Sequence, residues 1–153
     1  MELNDVLVND VCGSYCMDIK MIDCMIVGDS IAVGTHHFRP ECVSYSKGGI
    51  NSHDWNTKYK AIDLQAKTVI ISLGSNDLKT LHTFKEIMEL RQRVDAKNVI
   101  WILPANKPHK ADLVRMVAKA FDDNVLPIPD VSKDGVHPSP SGYKKIAELT
   151  KEK

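Results

Sequence analysis

Met21-Ile22-Asp23-Cys24-Met25-Ile26-Val27 is an apolar run halted by Gly28 and followed at once by Asp29 and Ser30. Its length suits a strand, and the absence of strict alternation suggests cover on both faces, as in a parallel sheet. The pattern recurs downstream. Cys42-Val43-Ser44-Tyr45 is a weaker strand, and Thr68-Val69-Ile70-Ile71-Ser72-Leu73 is a β-branched one stopped by Gly74. Asn98-Val99-Ile100-Trp101-Ile102-Leu103 ends at Pro104, and Val125-Leu126-Pro127-Ile128 is a short fifth candidate. Between them Leu81, Phe84, Ile87, Met88 and Val94 fall at helical spacing, as do Leu113, Val114, Val117 and Phe121. A last helix starts at Ser139 as N-cap with Pro140 at its first position, and sets Tyr143, Ile146 and Ala147 on one face. Strands alternating with helices predict a three-layer α/β/α sandwich around a parallel five-stranded sheet.

The chain has 153 residues, 43% of them hydrophobic, and 20 basic side chains balance 20 acidic ones. That is enough to bury one ordinary core, so one domain is expected over residues 21–153, preceded by an arm of residues 1–20. A neutral chain without a Lys/Arg run gives no nucleic-acid footprint. The apolar stretches are strand-sized, so no membrane insertion is expected. The acidic opening MELNDVLVND lacks the cationic start and apolar core of a signal peptide, so none is expected, and the compartment is left open between cytoplasmic and phage-associated. Cys12, Cys16, Cys24 and Cys42 include no CxxC pair. They are expected to be reduced, small buried side chains rather than a zinc site or a disulfide framework.

Ligands of parallel sheets bind beyond the carboxyl ends of the strands, and four short segments collect there. They are Gly28-Asp29-Ser30, Ser46-Lys47-Gly48-Gly49, Gly74-Ser75-Asn76-Asp77 and Asp134-Gly135-Val136-His137-Pro138. Singly each reads as an ordinary turn. Together they supply one chemistry. Ser30 at a strand-to-helix turn presents a hydroxyl, which needs a base; His137 suits that near neutral pH. Asp134, three residues earlier on the same loop, can fix the imidazole tautomer. A glycine amide and the Asn76 carboxamide can donate to a developing oxyanion. Asp29 and Asp77 read as loop braces, and His36, His37, His53, His82 and His109 as surface or packing residues. Trp55 and Tyr59 read as core or rim, and the loop Asn106 to His109 as a connection near the site.

In this order (GDS, a loop glycine, GxND, then DxxHP) the chain resembles the SGNH, or GDSL-like, hydrolases over about residues 24 to 150. The resemblance implies a flavodoxin-like sheet of order 2-1-3-4-5. It implies Ser30 as nucleophile, Asp134 and His137 as its partners, and an oxyanion hole from Ser30, Gly49 (or Gly48) and Asn76. Ile31 stands where the family usually has Leu, and Lys-Gly-Gly replaces its Ser-Gly. The expected activity is hydrolysis of a small acyl ester, with an O-acetyl group on a carbohydrate as a candidate and no cofactor. A chain this short leaves little room for a lid, so water should outcompete other acyl acceptors. Two other classes fit parts of the pattern. The loop from Gly28 to Thr35 could cradle a phosphate or flavin phosphate, although it lacks the P-loop lysine. A catalytically inactive structural member is the third.

Overall fold

The computed structural model describes residues 21–151, so the expected arm of residues 1–20, with Cys12 and Cys16, lies outside the described residues. Five strands alternate with five helices: β1 (Cys24–Gly28), α1 (Ser30–Phe38), β2 (Val43–Ser46), α2 (Ser52–Lys58) and β3 (Gln65–Ser72) come first. They are followed by α3 (Thr83–Arg93), β4 (Asp95–Leu103), α4 (Pro108–Ala120), β5 (Asn124–Pro127) and α5 (Pro140–Lys151). Every strand pair is parallel and the order is β2-β1-β3-β4-β5, the flavodoxin-like arrangement expected.

Side chains alternate across a strand, and this sorts the core into two layers. Cys24 and Ile26 of β1, Ile70 of β3, and Ile100 and Ile102 of β4 face Ile31 and Ala32 of α1 and Ile146 of α5. Met25 and Val27, Val69 and Ile71, and Val99 and Trp101 face the other way, against Trp55 of α2, Ile87 and Leu90 of α3, and Val114 and Val117 of α4. Two helices therefore cover one face and three the other. That double cover is why the strand centres read as unbroken apolar runs. Trp55 is fully buried in the larger layer, with its indole N–H donating to the Tyr45 carbonyl, so it is core and no pocket lining.

Two strands begin three residues before their apolar runs. Gln65 pairs with Asp95 and Ala66 with Ala96, and here exposed residues alternate with buried or half-buried ones. Only one face is covered at this end, and a search for continuous apolar residues passes over it. Phe84 also departs from expectation, lying exposed on the outside of α3. The last helix is capped as read: Ser139 Oγ accepts the Gly142 N–H at 3.1 Å.

The cysteine expectation is corrected. Cys24 and Cys42 are joined by a disulfide, their Cα atoms 4.8 Å apart. Cys24 opens β1 and Cys42 immediately precedes β2, and the parallel pairing of these neighbours brings the two side chains together. Sequence spacing carries no such signal, since it does not say which strands are adjacent. Among the described residues no cysteine is free. The bridge spans 18 residues of sequence, a loop whose closure in the unfolded chain corresponds to about 3 kcal/mol. Reduction is expected to lower unfolding free energy by that order; urea melts with and without dithiothreitol, with the Cys24→Ser/Cys42→Ser variant as control, measure it.

Candidate functional site

The carboxyl ends of β1 and β3 are in register, Gly28 beside Ser72. Gly28 has a φ of +141°, and a Cβ there would lie 1.9 Å from the Ser72 carbonyl oxygen, so no other residue fits. The closeness lets the Asp29 amide donate to that carbonyl at 3.0 Å. The Asp29 carboxylate then takes the Ser72 hydroxyl and the Ile31 N–H on its Oδ1, both at 3.0 Å. It thereby caps α1, and the next residue, Ser30, opens the helix with its side chain half-buried at the sheet edge.

The second segment turns on the Lys47 carbonyl, which accepts from Ile50 N–H at 3.3 Å, while Lys47 N–H donates to Gly28. Gly49 takes a φ of +79°. The missing side chain of Gly48 would point to within 3.9 Å of the Ser30 Cβ, so this exposed turn lies directly against Ser30. Asn51 caps α2 by accepting the Asp54 N–H at 2.7 Å. From the third segment, the Asn76 carboxamide donates to the Ile50 carbonyl at 3.0 Å. One of its two N–H bonds is thus held by the glycine turn and the other stays available.

Asp134 and His137 lie on a loop closed by an antiparallel bridge between Val131 and Pro138. Ser132 N–H donates to the His137 carbonyl at 2.8 Å, and Ser139 N–H to that of Asp130 at 2.8 Å. Asp134 Oδ1 accepts from Ser132 Oγ and from the Val136 and His137 amides at 2.8–2.9 Å. Its Oδ2 meets His137 Nδ1 at 2.7 Å, and His137 Nε2 meets Ser30 Oγ at 2.8 Å. A carboxylate can only accept, so Nδ1 carries the proton and Nε2 is the acceptor for the serine hydroxyl. The His137–Asp134 pair is open to water, with the His137 side chain 39% exposed and Asp134 49%.

The aspartates of the first and last segments are pulled in opposite directions. The His137 hydrogen bond, then the two amides and Ser132, hold Asp134 well below the usual carboxylate range, as an anion. Burial pushes Asp29 up to about 6, against the smaller opposing effect of its Ser72 and Ile31 hydrogen bonds. Asp29 Oδ2 is buried without a partner. The other expected brace, Asp77, is likewise buried and ties two helix starts together, accepting from Ser52 N–H and Oγ and from Thr83 Oγ1 at 2.6–2.9 Å.

The neighbouring loop is a buttress: Lys107 Nζ donates to the Asp77 carbonyl and Asn106 to that of Ser75. His53 is exposed and pairs with Glu86 at 2.9 Å. Ser132 and Ser72 orient Asp134 and Asp29 and were not singled out in the sequence. Each becomes visible only once the loop bridge and the strand register are known. Cys24, Glu41 and Cys42 bring three potential metal-ligand atoms within 4.8 Å, yet the disulfide leaves neither thiolate to donate. Arg39 already holds Glu41 at 2.7 Å.

The fold is that of the SGNH, or GDSL-like, hydrolases. A provisionally named acylhydrolase of Bacteroides fragilis superposes with a TM-score of 0.67 at 18% identity, over 94% of this chain and 93% of that one. A provisionally named GDSL-like lipase of Parabacteroides merdae gives 0.64 at 14%, over 87% and 95%. The C-terminal catalytic domain of the peptidoglycan O-acetyltransferase OatA of Streptococcus pneumoniae, carrying a methylsulfonyl adduct, gives 0.56 at 16%, over 87% and 93%. No protein-family model and no curated protein matches the chain. Within this SGNH fold, no helix among the described residues is long and apolar enough to cross a membrane.

The Asp29 environment has a measurable sign. The unfolded chain releases this proton near 3.8 and the folded chain near 6, so the folded form is favoured below that interval. Between about pH 4 and pH 6 this group's contribution to stability is expected to decline as pH rises, then level off. Asp29→Asn should flatten that slope in denaturant melts taken across the interval. An unchanged slope would assign it to another group.

Proposed function

We propose that the protein is a serine esterase that hydrolyses small acyl esters, with an O-acetyl group on a carbohydrate as the leading candidate. The hydrogen-bonded chain Ser30 Oγ–His137 Nε2 at 2.8 Å and His137 Nδ1–Asp134 Oδ2 at 2.7 Å carries this reading. In it His137 takes the Ser30 proton as the hydroxyl oxygen attacks the ester carbonyl carbon, and anionic Asp134 stabilises the imidazolium. The carbonyl oxygen becomes an oxyanion. The Ser30 amide, an unpaired first-turn N–H of α1, donates to it together with the Gly49 amide and the free N–H of Asn76. Gly48 is the alternative donor. Collapse breaks the bond between acyl carbon and alkoxide oxygen, and His137 returns its proton to the departing alcohol. Water, deprotonated by the same imidazole, then releases the acid and restores Ser30.

The surroundings support a small acyl group and hydrolysis. A cavity of about 320 Å³ beside the glycine turn is lined by Lys47, Ile50, Asp54 and Lys58, a polar set ill-suited to a long alkyl chain. The exposure of His137 leaves water ready access. The competing phosphate cradle is disfavoured, because Asp29 places a carboxyl group at the helix start that an anion would need and occupies the Ile31 amide.

A fluorophosphonate probe is expected to label Ser30 alone, and His137→Ala to slow the labelling strongly; peptide mapping to another serine would overturn the assignment. Acetyl and butyryl esters are expected to be cleaved much faster than palmitoyl esters, and rates that climb to long chains would contradict the polar acyl side. Asn76→Ala is expected to lower kcat by about 10²–10³ with little change in KM, since its donor acts on the charge of the transition state. If Asn76 only braces the glycine turn, the variant instead loses melting temperature and keeps its kcat, so both are measured on one preparation.

A further inference from the structure

On the face of the sheet covered by α1 and α5, a groove of about 410 Å³ is lined by Gly34, His37, Phe38, Pro138, Pro140 and Tyr143. None of these residues lines the Lys47–Lys58 cavity, which adjoins α2 on the opposite face. The groove belongs beside Ser30 for reasons of helix geometry. Ser30 and Gly34 are four residues apart on α1, hence on one face and about 6 Å apart along the axis. A Cβ at Gly34 would meet the Tyr143 ring at 2.4 Å, so the ring fills that face one turn beyond the serine. Pro138 follows His137 directly. The Tyr143 hydroxyl is pushed up first by burial and then by the negative charges of Asp29 and Asp134, which is consistent with this closeness.

The rings of Phe38 and Tyr143 are nearly parallel, 13° apart with centroids 6.3 Å from each other, and Phe38 is exposed. They stand nearly parallel to one another along the groove and give it an aromatic wall. Its edge is polar: among the described residues neither the Tyr143 hydroxyl nor the exposed His37 ring has a hydrogen-bond partner.

If Ser30 is the nucleophile, chemistry says which half of the ester comes here. The carbonyl oxygen must sit on the amides of the glycine turn and on Asn76, whereas the leaving oxygen must meet the proton carried by His137 Nε2. The alcohol therefore lies on the His137 side. We propose that the groove between α1 and α5 is the leaving-group subsite, and that its occupant is a pyranose whose C–H face stacks on Phe38 and Tyr143. An alkyl alcohol has nothing to offer the Tyr143 hydroxyl and His37 in place of water; ring hydroxyls can pair with both. In the step itself the bond from Ser30 Oγ to the acyl carbon forms, the bond from acyl carbon to sugar oxygen breaks, and that oxygen takes the His137 proton. This inference rests on the esterase reading.

Two measurements separate the inference from that reading. The first compares kcat/KM for methyl 6-O-acetyl-glucopyranoside with that for ethyl acetate, in wild type and Phe38→Ala. The ratio is expected to fall about tenfold in the variant, as the loss of one stacking face would give. A ratio that stays constant, or that falls for phenyl acetate but not for the glycoside, overturns the pyranose assignment. The second reads binding without turnover, by saturation-transfer NMR of methyl β-glucopyranoside with Ser30→Ala protein. Saturation of the axial ring protons, lost in Ser30→Ala/Phe38→Ala, supports the groove even if no Ser30-dependent hydrolysis is found and the esterase reading fails. No saturation in either protein overturns it.

Discussion

Between the ends of β1 and β3 there is room for a hydrogen atom at Gly28 and for nothing larger. The 1.9 Å between a hypothetical Cβ and the Ser72 carbonyl oxygen measures how closely the two backbones approach. Everything on that sheet edge is hung from this contact. It seats the Asp29 amide on Ser72, which brings the Asp29 carboxyl under the first turn of α1. Ser30 then leaves the sheet at a fixed angle, and the Lys47 amide on the Gly28 carbonyl brings the glycine turn alongside.

Around that fixed point the two acids divide the electrostatics. Asp29 is enclosed, with one oxygen unpartnered, and holds its proton more tightly than an ordinary carboxyl group. Asp134 stands in water with four hydrogen bonds to its carboxylate supplied by one loop and its imidazole, and stays ionised. A negative charge is thus stabilised behind His137, where an imidazolium would form, and disfavoured directly under the serine. One residue type, placed twice by the same fold, is made to differ by burial at Asp29 and by hydrogen bonds to the anion at Asp134.

Much of this was legible in the residues themselves. The apolar strand centres, Ser139 and Pro140 at the start of α5, and the clustering of Ser30, Gly48, Gly49, Asn76, Asp134 and His137 at strand ends follow from local pattern and chain direction. What was hidden is what depends on which strands are neighbours. Cys24 and Cys42 become partners because β1 lies beside β2, and Ser72 becomes a partner of Asp29 because β3 lies on the other side. The polar starts of β3 and β4 were hidden for a related reason, since their pairing with each other, not their hydrophobicity, makes them strands. Gly34 reads as a helix-weakening residue until the Tyr143 ring is seen against it.

The Cys24–Cys42 bridge closes a covalent ring around β1, the Gly28–Ser30 turn, α1 and the approach to β2. β2 is an edge strand with one hydrogen-bonded neighbour, the kind of element that ordinarily frays first. Here it cannot drift from β1 at that end, and α1 cannot be carried off with it. Arg39 extends the ring to α5 by donating to Thr150 at 2.8 Å, and its guanidinium also reaches Cys24 Sγ at 3.5 Å. The segment bearing the serine hydroxyl is thus joined to the cooperative unit of the central sheet. Exchange of its amides with solvent then requires opening of that unit rather than peeling of an edge, and the hydroxyl keeps its address through the smaller fluctuations of the rim.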